Sequence, residues 1–473
     1  MTVKVPTAEE ILEARLHLDG PKECTPDDNF VKFEVIDDAT VNARTRHFIA
    51  KCVFKQNSSL LGRASYGYVV WNPVKKAVVF MKDTWRVSLP GIDKEGNIYR
   101  EMHAAGVENI APLECAGDVE HAPVVQDFMI AAWARWKEKK VLRRYVHYRI
   151  VLGVIGRDLT KFRSAKELVT AIHDATVAHD QILKAGIIHR DISVGNILIL
   201  DNGRGILIGF DLCKRLKDLK ETARDSDRSG TWQFMSARLQ SSHTPLHPER
   251  ADDLESLLHV LTWVALKYVP NGLSPARLTD ILTGVFDFSS ADDSGYVSGL
   301  GRKSQFLCAR TISECGSQHT ALLMLMIDLT NMCASRYEHL AKEHGTTLKD
   351  FRTAKKRRRL LGSSDWFIKR FAKALEMPGW PIDDGPVDNP MVPEMEKFRY
   401  VSSARTQRSA CSSCGVVRSS VKREDTTDEI GDDRDSDDDS DDDDSKDDAM
   451  GVNSSVMPRS LHHCPQQTGV AIL

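Results

Sequence analysis

The chain has 473 residues, enough for two or three compact domains or for one two-lobed domain with tails. Its formal net charge of -3 hides an asymmetry: between Glu424 and Asp448, 16 carboxylates face only Arg434 and Lys446, a local charge of -14 that leaves +11 on the remainder. A mildly basic globular body with an acidic tail is therefore expected. Ten cysteines are too sparse for a disulfide framework, and Cys52, Cys115 and Cys333 sit singly among apolar neighbours, as in a reducing compartment. The stretch from Met1 lacks the apolar core of a signal peptide, and no uncharged apolar run reaches the roughly 20 residues of a membrane-spanning helix. These features predict an intracellular, soluble protein without membrane association. The basic charge is not interleaved with aromatics, so nucleic acid is not indicated as a partner. The lone pair Cys411 and Cys414, with no second pair, does not make a zinc site.

Residues 1–44 read as an N-terminal extension, with a short helix at Ala8–Leu16 and a turn-rich stretch from Gly20 to Asp28. Val69–Trp71 and Ala77–Met81 have the β-branched and aromatic character of two strands joined by a turn, and Lys82 ends the second. Glu95 to Ala105 reads as a helix, with Ile98 and Met102 one turn apart. Lys166 to Ala185 carries apolar residues at helical spacing (Leu168, Ile172, Ala175, Ala178, Ile182), and Gly186 is placed to stop it. Ile197–Leu200 and Ile206–Ile208 flank Asn202-Gly203 as a strand hairpin. Asp253 to Tyr268 is apolar on most of its surface and predicts a buried helix. More helices follow to about Met377, and the Ser-, Arg- and Asp-rich stretch after Tyr400 is expected to be disordered.

Between the long helix and the hairpin lies His189-Arg190-Asp191-Ile192-Ser193-Val194-Gly195-Asn196. Phosphoryl transfer needs a carboxylate to orient the attacking hydroxyl and a nearby amide oxygen to hold a metal, both fixed by a short loop after a helix. Asp191 and Asn196 satisfy that spacing. A polar loop matching by chance is the competing reading; the helix, loop, asparagine and hairpin in this order argue against it.

The segment resembles the protein-kinase catalytic loop, and the wording His-Arg-Asp-Ile-Ser is similar to the fungal-type protein kinase family. Gly62-Arg63, Lys82-Asp83-Thr84-Trp85, Gly230-Thr231-Trp232-Gln233-Phe234-Met235-Ser236 and Asp252-Asp253-Leu254-Glu255-Ser256 agree with it. The resemblance spans roughly residues 45 to 380. It implies an α+β bilobal fold over residues 45–385, with a small β-rich N-lobe (about 45–150) and a larger helical C-lobe (about 151–385). The disordered acidic tail then covers 386–473. It further implies ATP and Mg2+ as cofactors, and protein substrates accepting phosphate on Ser or Thr. Asp191 would be the catalytic aspartate, in a set with Asn196, His189 and Arg190. Lys82 would hold the phosphates, paired with Glu95 (Glu101 being the rival). Gly62, Gly67, Val69 and Phe80 would line the nucleotide site, and Asp253 would anchor the catalytic loop. Ser226, Ser229 and Thr231 are candidate phosphate acceptors, with Arg190 and the basic stretch Lys214–Lys220 to pair with the phosphate.

Three residues depart from the pattern on the nucleotide side. Ala64 replaces the middle glycine of the loop, and Phe80 stands where a small residue usually faces the adenine. Gly209 occupies the register of the metal-binding aspartate, in Ile208-Gly209-Phe210-Asp211. Asp211 is the candidate replacement and, with Asn196, the candidate metal ligand. In an extended strand it would sit about 6 to 7 Å too far along, so a local bend is required. Two readings stay open, an active kinase and a pseudokinase scaffold; a small-molecule phosphotransferase is a third. Lys355–Arg359 reads either as a nuclear localisation cluster, hence cytoplasmic or nuclear residence, or as a solvated helix face.

Overall fold

Residues alternating along the strands build one antiparallel sheet with a core on each face, Phe33, Val35, Phe48, Ala50 and Val70 on one and Phe30, Ile49 and Trp71 on the other. A computed structural model describes residues 3–18, 30–39, 44–51, 65–88, 91–120, 145–219, 230–241, 246–292, 296–315, 319–338 and 348–392. Gly62, Ala64, Lys220, Ser226, Ser229, Cys411, Cys414 and the acidic tail lie outside the described residues.

The sheet comprises β1 (Val3–Lys4), β2 (Phe30–Asp37), β3 (Arg44–Lys51), β4 (Tyr66–Asn72), β5 (Ala77–Val87), β6 (Leu113–Asp118) and β7 (Tyr145–Leu152). Its order is β1-β2-β3-β4-β5-β7-β6. Helix α1 (Ala8–Leu18) precedes β2, and α2 (Glu95–Ala104) follows β5. The N-terminal extension is part of this lobe: β2 pairs with β3 along its full length, from Phe30 opposite Lys51 to Asp37 opposite Arg44. Ala14 of α1 closes a small core with Phe30, Ile49 and Trp71. The strand carrying Lys82 does not end there as its composition predicts. It runs on to Val87 because β7 pairs with it from Phe80 opposite Leu152 to Val87 opposite Tyr145. The polar residues past Lys82 are accommodated by partners; the Arg149 guanidinium donates to Asp83 at 3.0 Å.

The helical lobe begins with β8 (Arg157–Asp158) and α3 (Ala165–Lys184), then β9 (Ile187–Ile188), β10 (Ile197–Ile199), β11 (Gly205–Leu207) and β12 (Lys214–Arg215). Among the described residues seven α-helices follow: α4 (Ala237–Ser241), α5 (Arg250–Tyr268), α6 (Pro275–Ile281), α7 (Arg302–Ala309), α8 (Thr320–Ala334), α9 (Leu348–Leu360) and α10 (Asp365–Glu376). Ser164 caps α3 by accepting from the Glu167 N–H at 3.2 Å, and the periodic face Leu168, Ile172, Ala175, Ala178 and Ile182 is fully buried. The 197–207 hairpin lies on α3 so closely that a Cβ on Gly205 would stand 2.3 Å from the Ala171 carbonyl oxygen. The result is the bilobal α+β fold, a β-rich lobe joined to a larger helical one. On α9, Lys355, Lys356 and Arg359 are exposed.

Helix α5 is buried on nearly every side, and its first two turns carry three buried carboxylates, Asp252, Asp253 and Glu255. The helix N-terminus favours negative charge there, and the capping box between Glu249 and Asp252 fixes the first turn. Glu255 accepts from the Ala237 N–H at 2.7 Å, the Arg336 guanidinium at 2.6 Å and the Tyr337 hydroxyl at 2.6 Å. Asp252 takes Ser236 Oγ at 2.7 Å and Arg336 at 2.7 Å, and pairs with Arg238. The segment Ser236-Ala237-Arg238 is thereby sewn to α5 although it lacks a glutamate of its own.

Burial alone would raise the Glu255 carboxyl, but the Arg336 charge and the His259 hydrogen bond outweigh it and hold the pKa at about 2. A carboxylate depressed below its ordinary 4.5 stabilises the fold fully above that value, and the contribution is lost as the pH falls from there towards 2. Arg336→Leu removes the guanidinium counter-charge of the buried Glu255 and one of the two on Asp252, and is expected to cost about 3–5 kcal/mol in urea melts at pH 7, most of it lost at pH 3. A cost under about 1 kcal/mol at pH 7 would show that Arg336 does not carry this corner.

Candidate active site

Strand β5 places Lys82 next to the interlobe cleft, directly opposite the β4 glycine Gly67 and two residues beyond Phe80, which faces Val69 across the ladder. Phe80, Leu198 and Ile208 each pack on the main core while staying partly exposed. Glu95, the first residue of α2, accepts from Lys82 Nζ at 3.0 Å, whereas Glu101 is engaged by Arg215 at 2.7 Å. The difference follows from helix geometry: Glu95 and Glu101 are six residues apart, more than one and a half turns, and so lie on different faces. The other oxygen of Glu95 accepts the Phe210 N–H at 3.1 Å, linking the small lobe to the turn after β11. Burial raises the pKa of the Glu95 carboxyl; the Lys82 charge opposes the shift and Asp211 adds to it.

That turn contains the anomalous glycine. Gly209 has φ +82° and ψ +49°, the left-handed region, and a 3-10 turn from Phe210 to Leu212 follows. The chain therefore bends instead of running on as a strand, and the bend carries the Asp211 carboxylate to 3.7 Å from Lys82 Nζ. A Cβ at Gly209 would stand 2.3 Å from Asn196 Oδ1 and 2.5 Å from Cγ. Gly209 is thus the residue against which the Asn196 amide packs. Phe210 is buried edge-on between Tyr99 of α2, at 4.8 Å, and His189 of the 189–196 loop, at 5.1 Å.

On the loop itself, Asp253 accepts from the N–H groups of His189 and Arg190, both at 3.2 Å, and from His179 Nε2 at 3.1 Å. Burial works against its charge, but the His179 hydrogen bond and charge, with His189 and the Arg190 N–H, keep the carboxyl below its ordinary value. His189 is fully buried, and desolvation lowers its pKa. Its neutral ring then fits one tautomer: Nε2–H donates to the Ile208 carbonyl at 3.1 Å, and Nδ1 accepts the Asp191 N–H at 3.2 Å. Arg190, at φ +71°, donates to the Leu212 carbonyl at 3.2 Å. Asn196 Nδ2 donates to the Asp191 carbonyl at 2.7 Å and to its carboxylate at 3.2 Å. The other carboxylate oxygen accepts both the N–H and the hydroxyl of Thr231, each at 2.8 Å. Thr231, which reads in the sequence as a phosphate acceptor, is committed to Asp191; a phosphate there would face a carboxylate.

Lys82, Glu95 and Asp211 thus converge on one side, and Asp191, Asn196 and Thr231 on the other, with Gly209 between. Tyr99, Arg336 and the Thr231–Asp191 bond carry no local sequence signal beyond residue type, whereas Phe210 is marked by its place after Gly209. Among the described residues no three His, Cys, Asp or Glu side chains gather as a metal cage. A hard cation such as Mg2+ is ordinarily held by one or two protein oxygens with substrate phosphates. Asp211, beside the Lys82 ammonium, and Asn196, packed against Gly209 two residues before it, carry oxygens of that kind, so the residues present fit a Mg2+-nucleotide.

Gly209→Ala forces a left-handed alanine against Asn196, and a loss of about 1–3 kcal/mol in thermal or urea melts is expected. An unchanged midpoint would mean that Asn196 can give way freely.

A family model described as fungal protein kinase matches residues 23–265, which takes in β2 to β7, the 189–196 loop and most of α5. No curated protein matches the chain. The match covers just over half of the residues and coincides with the two converging clusters, and the chain belongs to the fungal protein kinase family.

Proposed function

We propose that the chain is an active protein kinase that moves the γ-phosphoryl group of ATP to Ser or Thr hydroxyls. The observation that carries this reading is the turn at Gly209, which brings the Asp211 carboxylate to 3.7 Å from Lys82. The carboxylate absent from position 209 is replaced by one two residues later, delivered by the bend that glycine permits. Lys82, oriented by Glu95, offers a compact positive charge to the α- and β-phosphates. Asp211 and the Asn196 amide oxygen are the residues that would hold Mg2+, which when bound neutralises charge on the β- and γ-phosphates. Asp191 orients the acceptor hydroxyl and takes its proton; its bonds from Thr231 and Asn196 fix the carboxylate for that task. Protein rather than small-molecule acceptors are supported by the ordered Gly230–Ser236 segment beside Asp191.

The pseudokinase reading rests on the same glycine. Asn196 spends its amide N–H groups on Asp191 and lies against Gly209, so metal binding requires its oxygen to serve from that position.

Thermal shift of the full chain with ATP, with and without Mg2+, separates the two. Saturation at 100 times the dissociation constant stabilises a fold by about 2.7 kcal/mol. The active reading expects a Mg2+-dependent shift that Asp211→Asn abolishes. It also expects transfer of labelled phosphate to casein that falls about 10²-fold or more in Asp191→Asn while nucleotide binding persists. A shift indifferent to Mg2+ and to Asp211→Asn, without transfer, would establish the scaffold reading instead.

A further inference from the structure

Lys303 is the second residue of α7, and it is 1% exposed. Among the described residues no carboxylate lies within ion-pair distance of it. Its Nζ instead donates to three backbone carbonyls, Trp232 at 3.1 Å, Gln233 at 2.7 Å and Met235 at 2.8 Å. An ammonium has three N–H groups and no acceptor, so three converging carbonyls satisfy it completely. Burying a cation without a counter-charge is costly, and a methionine of similar length would fill the space without that cost.

All three carbonyls belong to the stretch whose preceding residue, Thr231, bonds Asp191 through both N–H and hydroxyl. The stretch is held by further contacts: Gln240 Nε2 donates to the Trp232 carbonyl at 2.6 Å, and Trp232 Nε1 donates to the Phe288 carbonyl at 2.9 Å. Gly230, Thr231, Met235 and Ser236 from this stretch wall a recess that Arg190 and Asp191 also line. The shape of that recess, and the placement of Thr231 on the catalytic carboxylate, therefore depend on what holds residues 232–235. The titratable groups around the ammonium are Glu255 and His259 of α5 and Asp287 after Phe286, with Arg302 beside it on α7. Glu255 is already taken by Arg336, Tyr337 and the Ala237 N–H. The carbonyls are what remain for Lys303.

We propose that Lys303 is a positioning residue for phosphotransfer, a buried peg that fixes residues 231–236 as the wall on which the acceptor protein lies next to Asp191. The kinetic part of this proposal rests on the reading of the chain as an active kinase; the structural part does not. Lys303 also lies beyond the stretch matched by the family model, so the matched region alone does not account for it.

The test compares the full-length protein with Lys303→Met at pH 6.5. Burial pushes the Lys303 pKa down to about 7, so the ammonium form prevails there. Hydrogen exchange followed by mass spectrometry is expected to show residues 230–240 exchanging at least tenfold faster in the variant. Protection in α3 and α5 and the Mg2+-ATP thermal shift should stay unchanged. In steady-state transfer to casein, the variant should raise KM for casein about tenfold and leave KM for ATP within twofold. Unchanged exchange at 230–240 overturns the proposal. Protection lost throughout the helical lobe also overturns it, because Lys303 is then a general stability residue. If the wild type transfers no phosphate, the kinase reading fails, and the local exchange result still decides whether Lys303 is the peg.

Discussion

The Asp191 side of the candidate site depends on the first two turns of α5. Three carboxylates, each costly to bury, are placed there side by side and satisfied in different directions. Asp253 reaches the backbone of His189 and Arg190 and so sets where Asp191 emerges. Asp252 and Glu255 reach the end of the 230–238 segment and so set where Thr231 returns to that same Asp191. A helix N-terminus lowers the cost of gathering negative charge, Arg336 and Arg238 pair with Asp252 and Glu255, and His179 hydrogen-bonds Asp253. Because one rigid helix holds both walls, the distance between the 189–196 loop and the segment facing it is fixed by helix geometry rather than by loop conformation.

The Lys82 side uses a second device, a chain of contacts through Phe210. Its N–H bonds Glu95, its ring touches Tyr99 and His189, and Glu95 in turn holds Lys82. Displacing α2 would break the Lys82 pair and unseat Phe210 together. Arg215 adds a tie from the large lobe, pairing with Glu101 and Asp93 around α2. Within this frame Gly209 is less a lost residue than a changed solution. The left-handed turn that it adopts readily redirects the chain so that a later carboxylate occupies the neighbourhood of Lys82.

Local patterns are legible in the order of the residues. The periodic face of α3, the Asn-Gly hairpin and the His-Arg-Asp loop with its asparagine are each defined within a short span, where spacing dictates geometry. Lys82 and Glu95 are legible as candidates, but their pairing is not, because Glu101 differs from Glu95 only in which helix face it occupies. The strand through Lys82 reads too short from composition, since the pairing that extends it comes from β7, far along the chain. Thr231 reads as a phosphate acceptor because an exposed hydroxyl and one bound to a carboxylate are the same letter.

By itself the sequence determined the 189–196 loop, the helices that flank it and the family to which it is similar, because these are short-range patterns of side-chain period and turn chemistry. Tertiary structure alone decided which charges meet. The Asp211 carboxylate at Lys82, Arg336 at Glu255 and Lys303 at three backbone carbonyls join residues separated by between 68 and 129 positions. No local rule encodes such contacts, since they follow from how whole elements pack and from the requirement that every buried charge find a partner.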